Sequence, residues 1–170
     1  MTDKRPDWVE IDAFLLTLPS LSRPLIDRHF RSDLSIEQKA DNSPVTIADK
    51  SVETELRQAI VAAFPHHAII GEEQGGLPDR QICWVIDPID GTRAFVIGKP
   101  LFGTLVGVAR DGQPFAGLID MPALNETYLT QDKRSYLIVG ATQSALSVSS
   151  CRALDPVSYT HLTLPTKQPV

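Results

Sequence analysis

Two apolar runs in this 170-residue chain end in acidic residues. Gly71-Glu72-Glu73 follows Ala68-Ile69-Ile70, and Asp87-Pro88-Ile89-Asp90-Gly91-Thr92 follows Ile82-Cys83-Trp84-Val85-Ile86. If two strands end side by side, these carboxylates meet. Their repulsion is then costly unless cations bind or protons are taken up. Oxygen donors with no His or Cys among them suit Mg²⁺ or a similarly hard ion. Mg²⁺ keeps positions for water and phosphate oxygens, which suits displacement at phosphorus. A Glu pair or an Asp-Gly turn alone is ordinary solvated chain. Gly-Glu-Glu followed, fourteen residues after Glu73, by Asp-Pro-Ile-Asp-Gly-Thr is far more specific.

Gly91-Thr92 adds an anion site if a short helix starts there. Its free N–H groups and dipole favour negative charge, and Gly lets a phosphate approach the backbone. Thr92 as a plain helix cap is compatible with this. Thr46 and Asp49 carry a similar double reading. Thr46-Ile47-Ala48-Asp49 has the form of a capping box, while a buried carboxylate beside a threonine hydroxyl can also orient a nucleophilic water. Spacing does not choose between the two.

The elements that must position these residues follow from the patterning. Trp8, Ile11, Phe14, Leu15, Leu18 and Leu21 keep roughly one helical face, which Pro19 is expected to kink or end. Leu25, Ile26 and Phe30 continue a second stretch. The polar segment 37–44 breaks the pattern. A long helix is predicted from about Thr46 to Phe64, on the spacing of Val52, Leu56, Ile60 and Ala63, with Pro65 ending it. Strands are expected over 68–70 and 82–86, then a tight turn through Asp87-Pro88-Ile89-Asp90-Gly91. Further strands follow at 101–109, 115–119, 127–129 and 135–141, with Asp111-Gly112 a hairpin signal. Helices first and short antiparallel strands later point to an α/β, layered arrangement in which helices pack on a mostly antiparallel sheet.

Composition narrows the function classes. The 42% hydrophobic and 22% charged content is ordinary for one domain with a real core. A formal net charge of −5 with no Lys/Arg cluster argues against nucleic acid as a partner. No apolar run approaches membrane-spanning length, and the polar start leads into no export signal, so a cytoplasmic location is expected. Cys83 and Cys151 form no disulfide framework and are expected to be inert thiols. Trp84 is expected in the core, and His66-His67 in an exposed loop with no third ligand. A non-catalytic metal- or phosphate-binding module is the competing class. A plain acidic structural domain leaves the ordered motifs unexplained.

Asp41-Asn42-Ser43-Pro44-Val45-Thr46-Ile47-Ala48-Asp49, Gly71-Glu72-Glu73 and Trp84-Val85-Ile86-Asp87-Pro88-Ile89-Asp90-Gly91-Thr92 resemble the inositol monophosphatase superfamily in order and spacing. Within it, Thr92 to Leu105 and Gly117-Leu118-Ile119-Asp120-Met121-Pro122 resemble the histidinol-phosphatase branch. The resemblance implies an inositol monophosphatase/fructose-1,6-bisphosphatase-like sandwich and a Mg²⁺-dependent phosphomonoester hydrolase using two or three ions. The implied substrate is L-histidinol phosphate, in histidine biosynthesis; inositol phosphates and nucleotide 3′-phosphates are the alternatives. Glu72 and Asp87, with the Ile89 carbonyl, would hold a first metal. Asp87 and Asp90 would share a second, with Glu73 supporting the site or a further ion. Asp49, Thr46 and Thr92 would position and activate the water. The N–H groups of Gly91 and Thr92 would hold the phosphate. Arg93 would contact substrate or make an interface salt bridge, and Lys39 matches a lysine ahead of the Ser-Pro-Val-Thr stretch.

The superfamily has a further metal-binding aspartate in a downstream Trp-Asp-x-Ala-like segment, which this sequence lacks. The resemblance therefore implies the N-terminal half only: residues 1–155 as an incomplete metal-phosphatase domain, weak or inactive by itself, from a parent expected to be a homodimer. Residues 156–170 read as a non-native or disordered tail, similar to translated adapter or vector sequence.

Overall fold

The placement of Pro19 explains how the first third of the chain divides. The computed structural model describes residues 8–32, 36–38, 44–131 and 133–150. Helix α1 (Trp8–Leu15) and helix α2 (Leu18–His29) are separated by a turn at Leu16 and Thr17. Pro19 neither kinks nor ends the first helix. It sits in the first turn of α2, where its missing N–H leaves no helical bond unmade. Ile11, Leu15, Leu18 and Ile26 share one buried face across both helices.

The polar stretch that follows holds two short antiparallel strands, β1 (Ile36–Gln38) and β2 (Pro44–Thr46). Strand β2 runs directly into helix α3 (Ile47–Ala63), with Thr46 as its N-cap and a full capping box to Asp49. Phe64 is the C-cap and Pro65 bars continuation, as the sequence predicts. Val52, Leu56 and Ile60 are fully buried along this helix.

The rest of the described chain is one seven-stranded sheet in sequence order: β3 (Ala68–Gly71), β4 (Ile82–Asp90), β5 (Gly103–Arg110), β6 (Gln113–Met121), β7 (Glu126–Gln131), β8 (Arg134–Val139) and β9 (Thr142–Leu146). Only β3 and β4 pair in parallel, so these two strands end at the same edge. All the other pairs are antiparallel. Asp111 and Gly112 form the β5–β6 turn, both with positive φ (50° and 76°), the left-handed geometry of a two-residue hairpin. Trp84, Ile86, Val106, Val108, Leu118 and Leu129 form one core with the buried faces of α1, α2 and α3. The period of two puts alternate residues on the other face, where Val85 and Ile119 remain 47% and 45% exposed.

Further expectations need correction. Asp87 to Asp90 is not a tight turn: it continues β4, pairing Asp87 with Leu105 and Asp90 with Gly103 across a register shift. Pro88 cannot donate to a ladder, and its carbonyl is instead bound by the buried Thr104 hydroxyl at 2.8 Å. The chain turns one residue later, at Gly91. Strand β9 carries no strand signal in the sequence: Thr142-Gln143-Ser144-Ala145-Leu146 has no apolar alternation, and every one of its residues is exposed. His67 is half-buried, its ring stacked on Phe64 and its Nδ1 accepting from Trp84 Nε1 at 3.0 Å, while His66 is exposed as expected. Trp84 is buried as predicted; Cys83 is buried as well, and burial pushes its thiol pKa up. Cys151 and the 156–170 tail lie outside the described residues.

Candidate metal and phosphate site

The parallel pairing of β3 and β4 brings the two acidic motifs together. The register Gly71↔Ile86 places Glu72 beside Asp87, and the Glu72 amide donates to the Ile86 carbonyl at 3.0 Å, carrying the ladder one step past the strand. Glu72 lies close enough to Asp87 for hydrogen bonding and charge both to act on it. The Asp87 pKa is pushed up to about 8, first by burial, then by the hydrogen bond and charge of Glu72, with Asp90 and Asp49 adding repulsion. The Asp87 Oδ1 atom is buried with no hydrogen-bond partner. Among the described residues, no three His, Cys, Asp or Glu side chains form a ready-made ion cage. Glu72 and Asp87 are in contact, and Asp90, exposed at the end of β4, and Asp49 are near enough to raise the Asp87 pKa.

The opposite wall comes from α3 and the turn after β4. Asp49 is buried, and its Oδ2 accepts both from the Thr46 amide (2.7 Å) and from the Thr46 hydroxyl (2.6 Å). Its Oδ1 lies 3.4 Å from the Thr92 hydroxyl, which also donates to the Ile89 carbonyl at 3.0 Å. The capping box and the proximity to Thr92 therefore coexist: one oxygen of Asp49 serves the helix end and the other faces the turn.

Gly91, not Thr92, is the N-cap of the short helix α4 (Thr92–Val96). It has φ 83°, and a Cβ there would stand 2.8 Å from the Leu101 carbonyl oxygen. Both the strained φ and the close approach require glycine. The amides of Ala94 and Phe95 turn back to the Gly91 carbonyl. Those of Gly91, Thr92 and Arg93 precede the helix's own ladder. Arg93 is exposed on α4. Glu72 is exposed and Glu73 half-buried. Lys39 lies outside the described residues.

Two further side chains hold the site's backbone in place. Thr104 holds the Pro88 carbonyl from the neighbouring strand. Glu53, fully buried on α3, accepts from the amides of Glu73 (2.7 Å) and Gln74 (3.0 Å) and from Arg57 Nε (2.8 Å). One clue to Glu53 was available: a second acid four residues after Asp49, on a helix face otherwise built from Val52, Leu56 and Ile60. Thr104 reads in the sequence as an ordinary strand residue.

The sequence model of the inositol monophosphatase family matches residues 7–167. The bifunctional phosphatase IMPL2 of Arabidopsis thaliana is 38% identical over 92% of this chain and 46% of its own length. A histidinol-phosphatase of Mycobacterium tuberculosis is 38% identical over 78% of this chain and 52% of its own. An inositol monophosphatase structure from Zymomonas mobilis superposes with TM-score 0.71 at 35% identity, covering 89% of this chain and 57% of that one. The chain thus spans about half the length of the relatives it matches. A family match over residues 7–167 means that this chain belongs to the inositol monophosphatase family.

Proposed function

We propose that this chain supplies the metal- and phosphate-holding side of a Mg²⁺-dependent phosphomonoesterase. The observation that carries the reading is Asp87: a half-buried carboxyl with one buried, unpartnered oxygen, beside Glu72 and with its pKa pushed up to about 8. Below that pH such a pair becomes a dianion only with a cation beside it. Hard oxygen donors with no nitrogen or sulfur fit Mg²⁺. Glu72 and Asp87 with the Ile89 carbonyl would hold one ion, Asp87 and Asp90 a second, and Glu73 would support them. Bound there, Mg²⁺ would lower the pKa of a water and neutralise charge developing on phosphoryl oxygens.

The chain's own residues do the rest. Asp49, oriented by Thr46, takes a proton relayed through the Thr92 hydroxyl from the attacking water. The amides of Gly91 and Thr92 hold the phosphate, where the absence of a Cβ at Gly91 leaves the backbone accessible. Arg93, exposed beside that turn, is the substrate-side cation, and Lys39 a further substrate contact.

The substrate we infer is L-histidinol phosphate. Support comes from the residues 92–105 and 117–122 and from the mycobacterial relative that bears the name histidinol-phosphatase. The test is phosphate release in Mg²⁺ from histidinol phosphate, inositol 1-phosphate and a nucleotide 3′-phosphate. It would use this chain and a version continued with the remaining half of the mycobacterial relative. Preferential release from inositol phosphate would overturn the substrate. No release from any of the three by either protein would overturn the enzyme reading in favour of a binding module. Small size of the substrate, a homodimer, a role in histidine biosynthesis and a cytoplasmic location belong to the same proposal. Among the described residues, no helix is long and apolar enough to cross a membrane.

A further inference from the structure

Glu53 lies on α3 one turn beyond Asp49 and is fully buried. A carboxylate in such a place is costly unless its lone pairs are used. They are used on the loop after β3. Oε2 accepts from the Glu73 amide at 2.7 Å, and Oε1 accepts from the Gln74 amide at 3.0 Å and from Arg57 Nε at 2.8 Å. Arg57 also donates from Nη2 to the Gly75 carbonyl. The fit is tight on the strand side too, since a Cβ on Gly71 would collide with the Glu53 carboxylate. Glu72 therefore sits between two fixed points. Its own amide continues the ladder to Ile86, and the next two amides are held by a buried anion on the helix. Charge-assisted hydrogen bonds of this kind are stronger and more directional than neutral ones.

We propose that Glu53 is a positioning residue for the divalent-cation site: by holding the Glu73 and Gln74 amides against α3, it sets the direction in which the Glu72 side chain leaves β3 toward Asp87. The inference rests on the metal reading above. Groups that orient a ligand without touching the ion typically change metal affinity about 10–100-fold when replaced.

The experiment is Mn²⁺ binding to the full chain, read by the electron paramagnetic resonance of free Mn²⁺, alongside thermal melts in chelator. Glu53→Gln keeps the length but puts an N–H₂ group against a backbone donor. Glu53→Asp keeps the charge opposite Arg57 but withdraws the oxygens. Both are expected to weaken Mn²⁺ binding by about tenfold or more. Ile60→Val, two turns further along α3, is the stability control: its melting temperature falls while its Mn²⁺ affinity stays unchanged. If Glu53→Gln does not fold, Glu53→Asp decides. If both variants bind Mn²⁺ like the parent while Asp87→Asn does not bind, the positioning role is overturned and the metal reading stands. If Asp87→Asn binds as the parent does, both fall. Loss of folding in both Glu53 variants would assign the residue to stability alone and overturn the inference as well.

Discussion

At the scale of single residues, Asp87 concentrates the chemistry, and its titration makes two predictions. Its carboxyl is raised from an ordinary value of 3.8 to about 8 by burial and by Glu72. Between those values the folded state holds a proton that the unfolded state has released. This contribution to stability is fully present below about pH 4 and is lost as pH rises through 8. Urea unfolding in chelator should show a decline over that window in the parent that is missing in Asp87→Asn; parallel curves would show the shift to be wrong. Mg²⁺ competes with the same proton. Its affinity should therefore rise with pH up to about 8 and level off above, with proton release visible by calorimetry in buffers of different ionisation enthalpy. In the relative-length version used for the phosphatase assay, Asp87→Asn should lower kcat by about 10³-fold or more, because the loss falls on transition-state stabilisation. A rise in KM with kcat intact would show that Asp87 only binds substrate.

At the scale of elements, helix α3 and the turn after β4 each have a structural duty and a chemical one. Thr46→Ala removes the N-cap of α3 together with a hydrogen bond to Asp49, and should cost about 1–2 kcal/mol of stability. Thr46→Ser should restore most of it, as measured by denaturant unfolding. Gly91→Ala forces a side chain into a left-handed backbone and against the Leu101 carbonyl, and should cost about 1–3 kcal/mol. It should also weaken inorganic phosphate binding in Mg²⁺, which calorimetry would measure. Phosphate affinity equal to the parent's would remove the turn from the site. Both costs come from the same fact: the chemistry is placed where helices begin, and helix starts leave backbone groups to be satisfied.

At the scale of the molecule, the described helices α1, α2 and α3 share one core with one face of the sheet. On the other face, Leu105, Gly107, Ile119 and Tyr128 line an apolar groove beside Val85, with Val85 and Ile119 about half exposed. An apolar surface of this kind favours association. Sedimentation of the 170-residue chain should show concentration-dependent self-association, and Ile119→Lys should reduce it. A monomer at every concentration would show the face to be tolerated by water. On the helix-facing side of the sheet a half-buried ion pair ties the layers, with Arg23 on α2 gripping the buried Asp120 on β6 through two bonds of 2.8 and 3.0 Å.

Much of this was legible from local pattern. The long helix and its cap could be read from Thr46, Asp49 and the spacing of Val52, Leu56 and Ile60, because helical period and capping are set by near neighbours. The acidic motifs could be read from residue type and order, and the hairpin from Asp111-Gly112. What local pattern could not supply was pairing. That β3 lies parallel to β4, so that Glu72 meets Asp87, is a choice among sheet topologies made by the whole core. The same core lets Asp87 to Asp90 run on as strand instead of turning, because β5 offers Leu105 and Gly103 as partners and Thr104 as the ligand for the Pro88 carbonyl. Strand β9 exists because β8 presents an edge to it, although its own residues carry no strand signal. Glu53 looked like an ordinary helical acid until the fold brought the amides of Glu73 and Gln74 against it. Residue types and their order determined which chemistry this chain could carry. Long-range pairing decided where the carboxylates meet and how one of them keeps its proton, because burial and repulsion are properties of a place that distant segments make together.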